Sequence, residues 1–170
     1  IVNNTIEAFS NGATIGEVGK ALNRKPAEVS ITPLKVKRAS EIFEELRNYS
    51  FEYKEKNGFL PKIFLATMGS LKQHKARADF ARGFFEVGGF DVIYQKGFET
   101  NEEAVKAAEV TGTKIVVICS TDDTYPDLVP GLVKELKESI KDVKIILAGY
   151  PKEQIEAHKQ SGVDDFIYMG

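Results

Sequence analysis

His74 is one of only two histidines in this 170-residue chain, and it stands among residues that could bind something. The apolar run Ile63-Phe64-Leu65-Ala66 exits through Thr67-Met68-Gly69 into a polar segment carrying Lys72, His74, Lys75 and Arg77. In an open parallel α/β sheet, ligands sit outside the carboxyl ends of the strands, which is where this histidine falls. Its sequence neighbours are cations, with no carboxylate among them to orient a metal-ligating ring. The same cations lie at the start of a helix, and helix N-termini attract anions. The Lys72–Arg77 loop is therefore also a candidate phosphate or carboxylate site. Asp122 and Asp123 follow the third apolar run and read as turn chemistry. His158, between Ala157 and Lys159, is expected on an exposed helix face. Cys119 sits in an apolar run and is expected to be a buried small hydrophobe.

Several chemistries are excluded by what accompanies these residues. A dinucleotide fold needs Gly-x-Gly-x-x-Gly after its first strand, and here that loop offers only Gly69. A phosphate-accepting receiver domain needs an acidic cluster at the same place, where this chain has Thr67-Met68-Gly69. No Cys, His or carboxylate group has metal-ligand spacing, and no Gly-x-Ser-x-Gly elbow marks a hydrolase. A net charge of −2 gives no general attraction for nucleic acid or an anionic membrane. One cysteine makes no disulfide framework, which fits a cytoplasmic protein. The apolar runs are far shorter than the ~18 residues a membrane span requires. The chain opens on Ile1 rather than a methionine and is read as a piece of a longer protein.

Residues 61–170 must supply the elements that position the loop, and they alternate strand and helix. Strands are predicted over Lys62–Thr67, Phe90–Tyr94, Lys114–Cys119, Val143–Leu147 and Asp165–Met169. Helices are predicted over Lys75–Glu86, Asn101–Thr111, Asp127–Ser139 and Pro151–Ser161. Thr100 with Glu103 three residues on is a capping box, and Gly88, Gly112 and Gly162 are helix stops. Such alternation predicts an α/β fold: a flavodoxin-like, doubly wound sheet of five parallel strands in the order 2-1-3-4-5. Residues 1–60 show no strand-helix series and read as a helical arm. Thr14 caps a short helix over Ile15–Leu22. A longer helix is predicted over Val36–Tyr53, with Ile42, Phe43, Leu46 and Tyr49 on one face. Pro26 and Pro33 interrupt the chain between the two. That apolar face predicts contacts beyond the arm itself.

The order of these pieces resembles the cobalamin-binding domain of methylmalonyl-CoA mutase. Leu65-Ala66-Thr67-Met68-Gly69 matches the strand and loop entering the family's cobalamin motif. Gly89-Phe90-Asp91-Val92 matches its second strand, and Val129-Pro130-Gly131-Leu132 resembles its third helix. Pro33-Leu34-Lys35-Val36-Lys37-Arg38 and Phe43-Glu44-Glu45-Leu46-Arg47 look like the segment joining a TIM barrel to that domain. The resemblance implies that residues 1–60 are a linker from a preceding barrel, that residues 61–170 are the cobalamin-type domain, and that a last helix follows Gly170.

In the family, a histidine from Asp-x-His-x-x-Gly takes cobalt's lower axial position. Aligned on His74, this chain carries Lys72 at the Asp position and Arg77 at the Gly position. A Ser-x-Leu after the third strand reads Ser120-Thr121-Asp122, and a Gly-Gly after the fourth reads Ala148-Gly149, followed by Tyr150. The departures all fall on ligand contacts. That pattern resembles the small subunit of heterodimeric methylmalonyl-CoA mutases. It implies a structural role beside a large subunit, with no catalytic residue, no metal and no cofactor expected at Lys72, His74, Arg77, Ser120, Asp122 and Gly149. The competing expectations are a working cobalamin-binding domain of an acyl-CoA mutase, and an anion-binding module using the Lys72–Arg77 loop.

Overall fold

In a computed structural model, residues 1–22, 32–34 and 37–169 are described. The expectations that rest on Pro26, Lys35 and Val36 lie outside them. The chain divides into two compact units, Ile1–Lys37 and Arg38–Gly170.

The first unit carries α1 (Val2–Ser10) and α2 (Ile15–Ala21). No helix was predicted over α1. The start of α2 follows its sequence: Thr14 Oγ1 accepts from the Glu17 amide at 3.3 Å, and the Glu17 carboxylate accepts from the Thr14 amide at 2.8 Å. Each satisfies a backbone or side-chain donor that a helix end otherwise leaves open.

The second unit runs α3 (Glu41–Asn57), β1 (Lys62–Thr67), α4 (Leu71–Val87), β2 (Asp91–Tyr94), α5 (Asn101–Thr111) and β3 (Ile115–Cys119). It continues through α6 (Tyr125–Ser139), β4 (Lys144–Ala148), α7 (Ile155–Ser161) and β5 (Asp165–Ile167). The five strands pair in parallel in the order β2-β1-β3-β4-β5, as the alternation predicts. Phe64 pairs with Ile93 on one side and Val116 on the other, and Val116 in turn pairs with Ile145.

Alternate residues of the strands face opposite ways. Phe64, Val116, Ile118, Ile145 and Leu147 pack under α5 and α6, against Ala104, Ala108, Val129, Leu132 and Leu136. Ile63, Leu65, Val117 and Cys119 pack on the other face, under Ala78 and Ala81 of α4. Apolar residues on both faces are what a parallel sheet covered by helices requires. Each fully buried aliphatic side chain contributes about 1.5–3 kcal/mol relative to exposure.

Several helix boundaries differ from expectation: α3 begins at Glu41 and runs four residues past the predicted end at Tyr53, and α6 begins two residues early, at Tyr125. α4 begins at Leu71, four residues earlier than predicted, because the Gln73 side chain reaches back to accept from the Ser70 amide at 2.8 Å. α7 begins at Ile155 rather than at Pro151, and the residues between form turns instead. α3 packs on this unit: buried Ser50 Oγ donates to Gly88 O at 2.7 Å, and Arg47 Nε donates to Val87 O at 2.8 Å. Its outer side keeps Ile42, Phe43, Leu46 and Tyr49 exposed.

Candidate functional site

The early start of α4 decides where the site residues go. The Lys72–Arg77 segment is helix rather than loop, so its side chains fan out around an axis instead of converging. Lys72 points to solvent. Lys75 pairs with Asp79 one turn on, at 2.7 Å. His74 turns inward and is 1% exposed, while Arg77 crosses to the far strands. The four groups do not form one anion site.

His74 is held by backbone. Its Nδ1 lies 3.1 Å from Gly69 O. A carbonyl only accepts, so Nδ1 carries the proton and donates it. In the neutral ring Nε2 is then a bare acceptor. That nitrogen is buried and has no hydrogen-bond partner. His74 helps line a cavity of about 490 Å³ with Gly69, Tyr94, Lys96, Gly97 and Glu99. Gly97 makes this packing possible, since a Cβ there would stand 2.5 Å from Gly69 O and 2.6 Å from His74 Cε1. Sequence reasoning missed Gly97. Nothing local marks it, because its neighbours come from another turn.

Ser120 is buried at the carboxyl end of β3, where its Oγ donates to Met68 O at 3.2 Å and so ties that end to the exit of β1. Asp122 lies in the following turn, as its sequence suggests. One of its carboxylate oxygens stands 2.8 Å from Arg77 Nη2. Arg77 Nη1 donates to Ala148 O, and the guanidinium lies over the Tyr125 ring, 5.4 Å from its centre. Gly149, the next residue, has φ +137°, and a Cβ built there would collide with Arg77. Thus Arg77, Asp122 and Gly149 come together, while His74 faces a separate cavity and Lys72 joins neither.

Tyr125 was also missed by sequence reasoning. It is fully buried, accepts from the Ser120 amide at 3.0 Å and donates to Ala148 O at 2.7 Å, joining the ends of β3 and β4. Burial raises its phenol well above the usual tyrosine range. Burial likewise pushes the Cys119 thiol up to about 12, so it is an inert core residue rather than a nucleophile.

His158 is a correction to the sequence reading. It is 2% exposed, not on an outer helix face. Its Nε2 lies 3.1 Å from Gln154 Oε1, and its ring meets Tyr125 edge-on. The short α7 turns that side toward α6. Burial lowers its pKa, with the Asp122 charge opposing.

Beside Arg77 lies a cavity of about 580 Å³ at the carboxyl ends of β4 and β5. Phe80, Tyr150 and Tyr168 wall it, the tyrosine rings stacked at 4.3 Å, and Lys152 stands at its edge. Among the described residues no carboxylate lines it. Among the described residues there is no group of three or more His, Cys, Asp or Glu able to hold a metal ion, and no helix long and apolar enough to cross a membrane.

Against known proteins, the chain is 36% identical to the methylmalonyl-CoA mutase small subunit of Porphyromonas gingivalis, over 82% of this chain and 21% of that protein. The chain is a homologue of methylmalonyl-CoA mutase small subunits. It is 29% identical to the small subunit from Streptomyces virginiae over 78% of this chain and 20% of that protein. It is 31% identical to the large subunit from Propionibacterium freudenreichii over 97% of this chain and 24% of that protein. The chain spans about a fifth of the length of the curated relatives it matches. No family model matches it. Among solved structures, a cobalamin-binding protein from Desulfitobacterium hafniense covers 95% of this chain at 22% identity, with a TM-score of 0.54 and 69% of that chain covered. A CheY-like protein from Pseudomonas aeruginosa covers 64% of this chain and 81% of its own, at 18% identity and a TM-score of 0.51. These two neighbours bear out the fold.

The expectation that no cofactor is bound is corrected here. The solved neighbour that spans nearly the whole chain is a cobalamin-binding protein. The physical reason is at His74. The expectation rested on Lys72, which cannot accept the proton of an orienting hydrogen bond, but the Gly69 carbonyl does that work. A neutral imidazole with one nitrogen fixed by a backbone acceptor and the other bare is what a metal-ligating histidine needs. His74 therefore fits a cobalt ligand in its chemistry.

Proposed function

We propose that this chain is the cobalamin-type domain of a methylmalonyl-CoA mutase small subunit, joined by residues 1–60 to a preceding barrel. In this reading it contributes structure, and no catalytic residue, to a cytoplasmic heterodimer with the large subunit. The observation that carries the reading is the 36% identity to a small subunit across 82% of the chain. Similarity to a large subunit as well supports pairing between related chains. The exposed Ile42, Phe43, Leu46 and Tyr49 on α3 support a contact face there. The test is co-expression with the large subunit from the same source, followed by gel filtration. The two are expected to co-elute, and removal of residues 1–56 is expected to weaken the complex. Unchanged assembly after that deletion would overturn the role of the arm.

A second reading is favoured by the bare, buried Nε2 of His74. Here the domain holds cobalamin, with His74 as the cobalt ligand, Gly69 O fixing its ring and the space beside Gly149 receiving the rest of the group. Cobalamin, when bound, supplies radical chemistry at cobalt. The protein's part is to orient the imidazole and keep water from it. Titration with hydroxocobalamin, followed by visible absorption, should then show saturable binding that His74→Ala weakens about 10-fold or more. Equal binding by both proteins would overturn His74 as the ligand.

A further inference from the structure

We propose that Arg77 is a latch that any ligand reaching Gly149 must displace; the proposal deepens the cobalamin reading and rests on it. Ligands of open α/β sheets approach the carboxyl ends of the strands, where only a residue without a side chain leaves the backbone open. Gly149 is such a residue, at φ +137°, yet its open side is filled. The filling is the Arg77 side chain, reaching from α4 across the sheet. It is held at three points: the Asp122 carboxylate at 2.8 Å, Ala148 O, and the Tyr125 ring. The Asp122 oxygen in this contact is buried, and Arg77 is the charge that faces it.

The surroundings tolerate that departure. Ala148 O keeps the Tyr125 hydroxyl as a donor, and the Asp122 side chain as a whole is 46% exposed, so water can reach its buried oxygen once Arg77 has left. Arg77 itself is about a quarter exposed, so it has a path to solvent. When it swings out, the space over Gly149 joins the cavity walled by Tyr150 and Tyr168. That enlarged site suits a planar aromatic group, with tyrosine faces for stacking, Lys152 at one edge and the uncovered Asp122 carboxylate at the other. Latch and ligand thus compete for one volume, and Asp122 sets the strength of the closed state.

The test uses the whole chain and hydroxocobalamin as the probe, with binding read by visible absorption and folding checked by circular dichroism. Arg77→Ala should bind about 10-fold more tightly than wild type, because the space is vacated while the helix is kept. Asp122→Asn should tighten binding by a smaller factor, roughly two- to fivefold, since an ion pair this exposed holds only weakly. Arg77→Lys should fall between Arg77→Ala and wild type. Equal affinity in wild type and Arg77→Ala, or no binding by either, overturns the latch. The double variant His74→Ala, Arg77→Ala separates this from the ligand reading. If it binds as tightly as Arg77→Ala, the latch stands and His74 is not the ligand. If Arg77→Ala gains nothing while His74→Ala loses binding, the ligand reading stands and the latch falls.

Discussion

The Arg77 guanidinium lies where a side chain on Gly149 would have to be. The two residues are 72 apart in sequence and meet because α4 crosses the sheet from β1 to the end of β4. The contact makes the glycine obligatory for two reasons at once, its left-handed φ and the filled space above it.

Gly149→Ala should therefore destabilise the fold by about 1–3 kcal/mol, combining backbone strain with displacement of Arg77. Placed in the Arg77→Ala background, the same change should cost less, since only the strain remains. Urea denaturation of the single and double variants measures the difference. Identical costs in the two backgrounds would mean that the packing between the two residues is energetically empty.

Tyr125→Phe should cost about 1–3 kcal/mol by the same assay. The hydroxyl accepts from the Ser120 amide and donates to Ala148 O, so its removal leaves a buried N–H without a partner. A loss under about 0.5 kcal/mol would show that the link between the ends of β3 and β4 does not depend on it.

Stability should fall in mild acid through His158. Burial holds its folded pKa below the ordinary imidazole value. Between the folded and unfolded pKa values the unfolded chain binds more protons, so stability rises with pH across that window. The contribution is complete above the unfolded value near ~6.5 and is lost as pH falls through the folded one. Melting curves from neutral to about pH 5 should drop more steeply for wild type than for His158→Gln. Parallel curves would assign acid sensitivity to other groups.

Ser50→Ala should cost about 1 kcal/mol and loosen α3 from the end of α4, since the buried hydroxyl donates to Gly88 O at 2.7 Å. Hydrogen exchange along α3 should speed up while β1 and β3 stay protected. Unchanged exchange in α3 would mean that Arg47 and the apolar contacts hold the helix by themselves.

The sequence by itself determined the order and direction of the elements. The short β-branched run Ile115–Cys119 reads as a strand covered on both faces, and the spacing of Val129, Leu132, Val133 and Leu136 reads as one side of a helix. With short connections and right-handed crossovers, these leave a handful of sheet orders, of which the predicted 2-1-3-4-5 is the one found. Local chemistry was legible too: Thr14 caps its helix, Cys119 is buried as its run implies, and Thr100 accepts from the Glu103 amide, although the Glu103 carboxylate takes the Glu99 amide instead of closing the expected box. The tertiary structure alone decided what the polar residues do. Gln73 reaching back to Ser70 turns a presumed loop into a helix, and that rotation sends His74 inward and Arg77 across the sheet. His158 is buried only because α7 packs beside Tyr125. Periodicity carries the face of an apolar residue, because burial acts on each such side chain alike. A histidine or an arginine takes its role from one partner, and here those partners lie on other strands, beyond the reach of any local pattern.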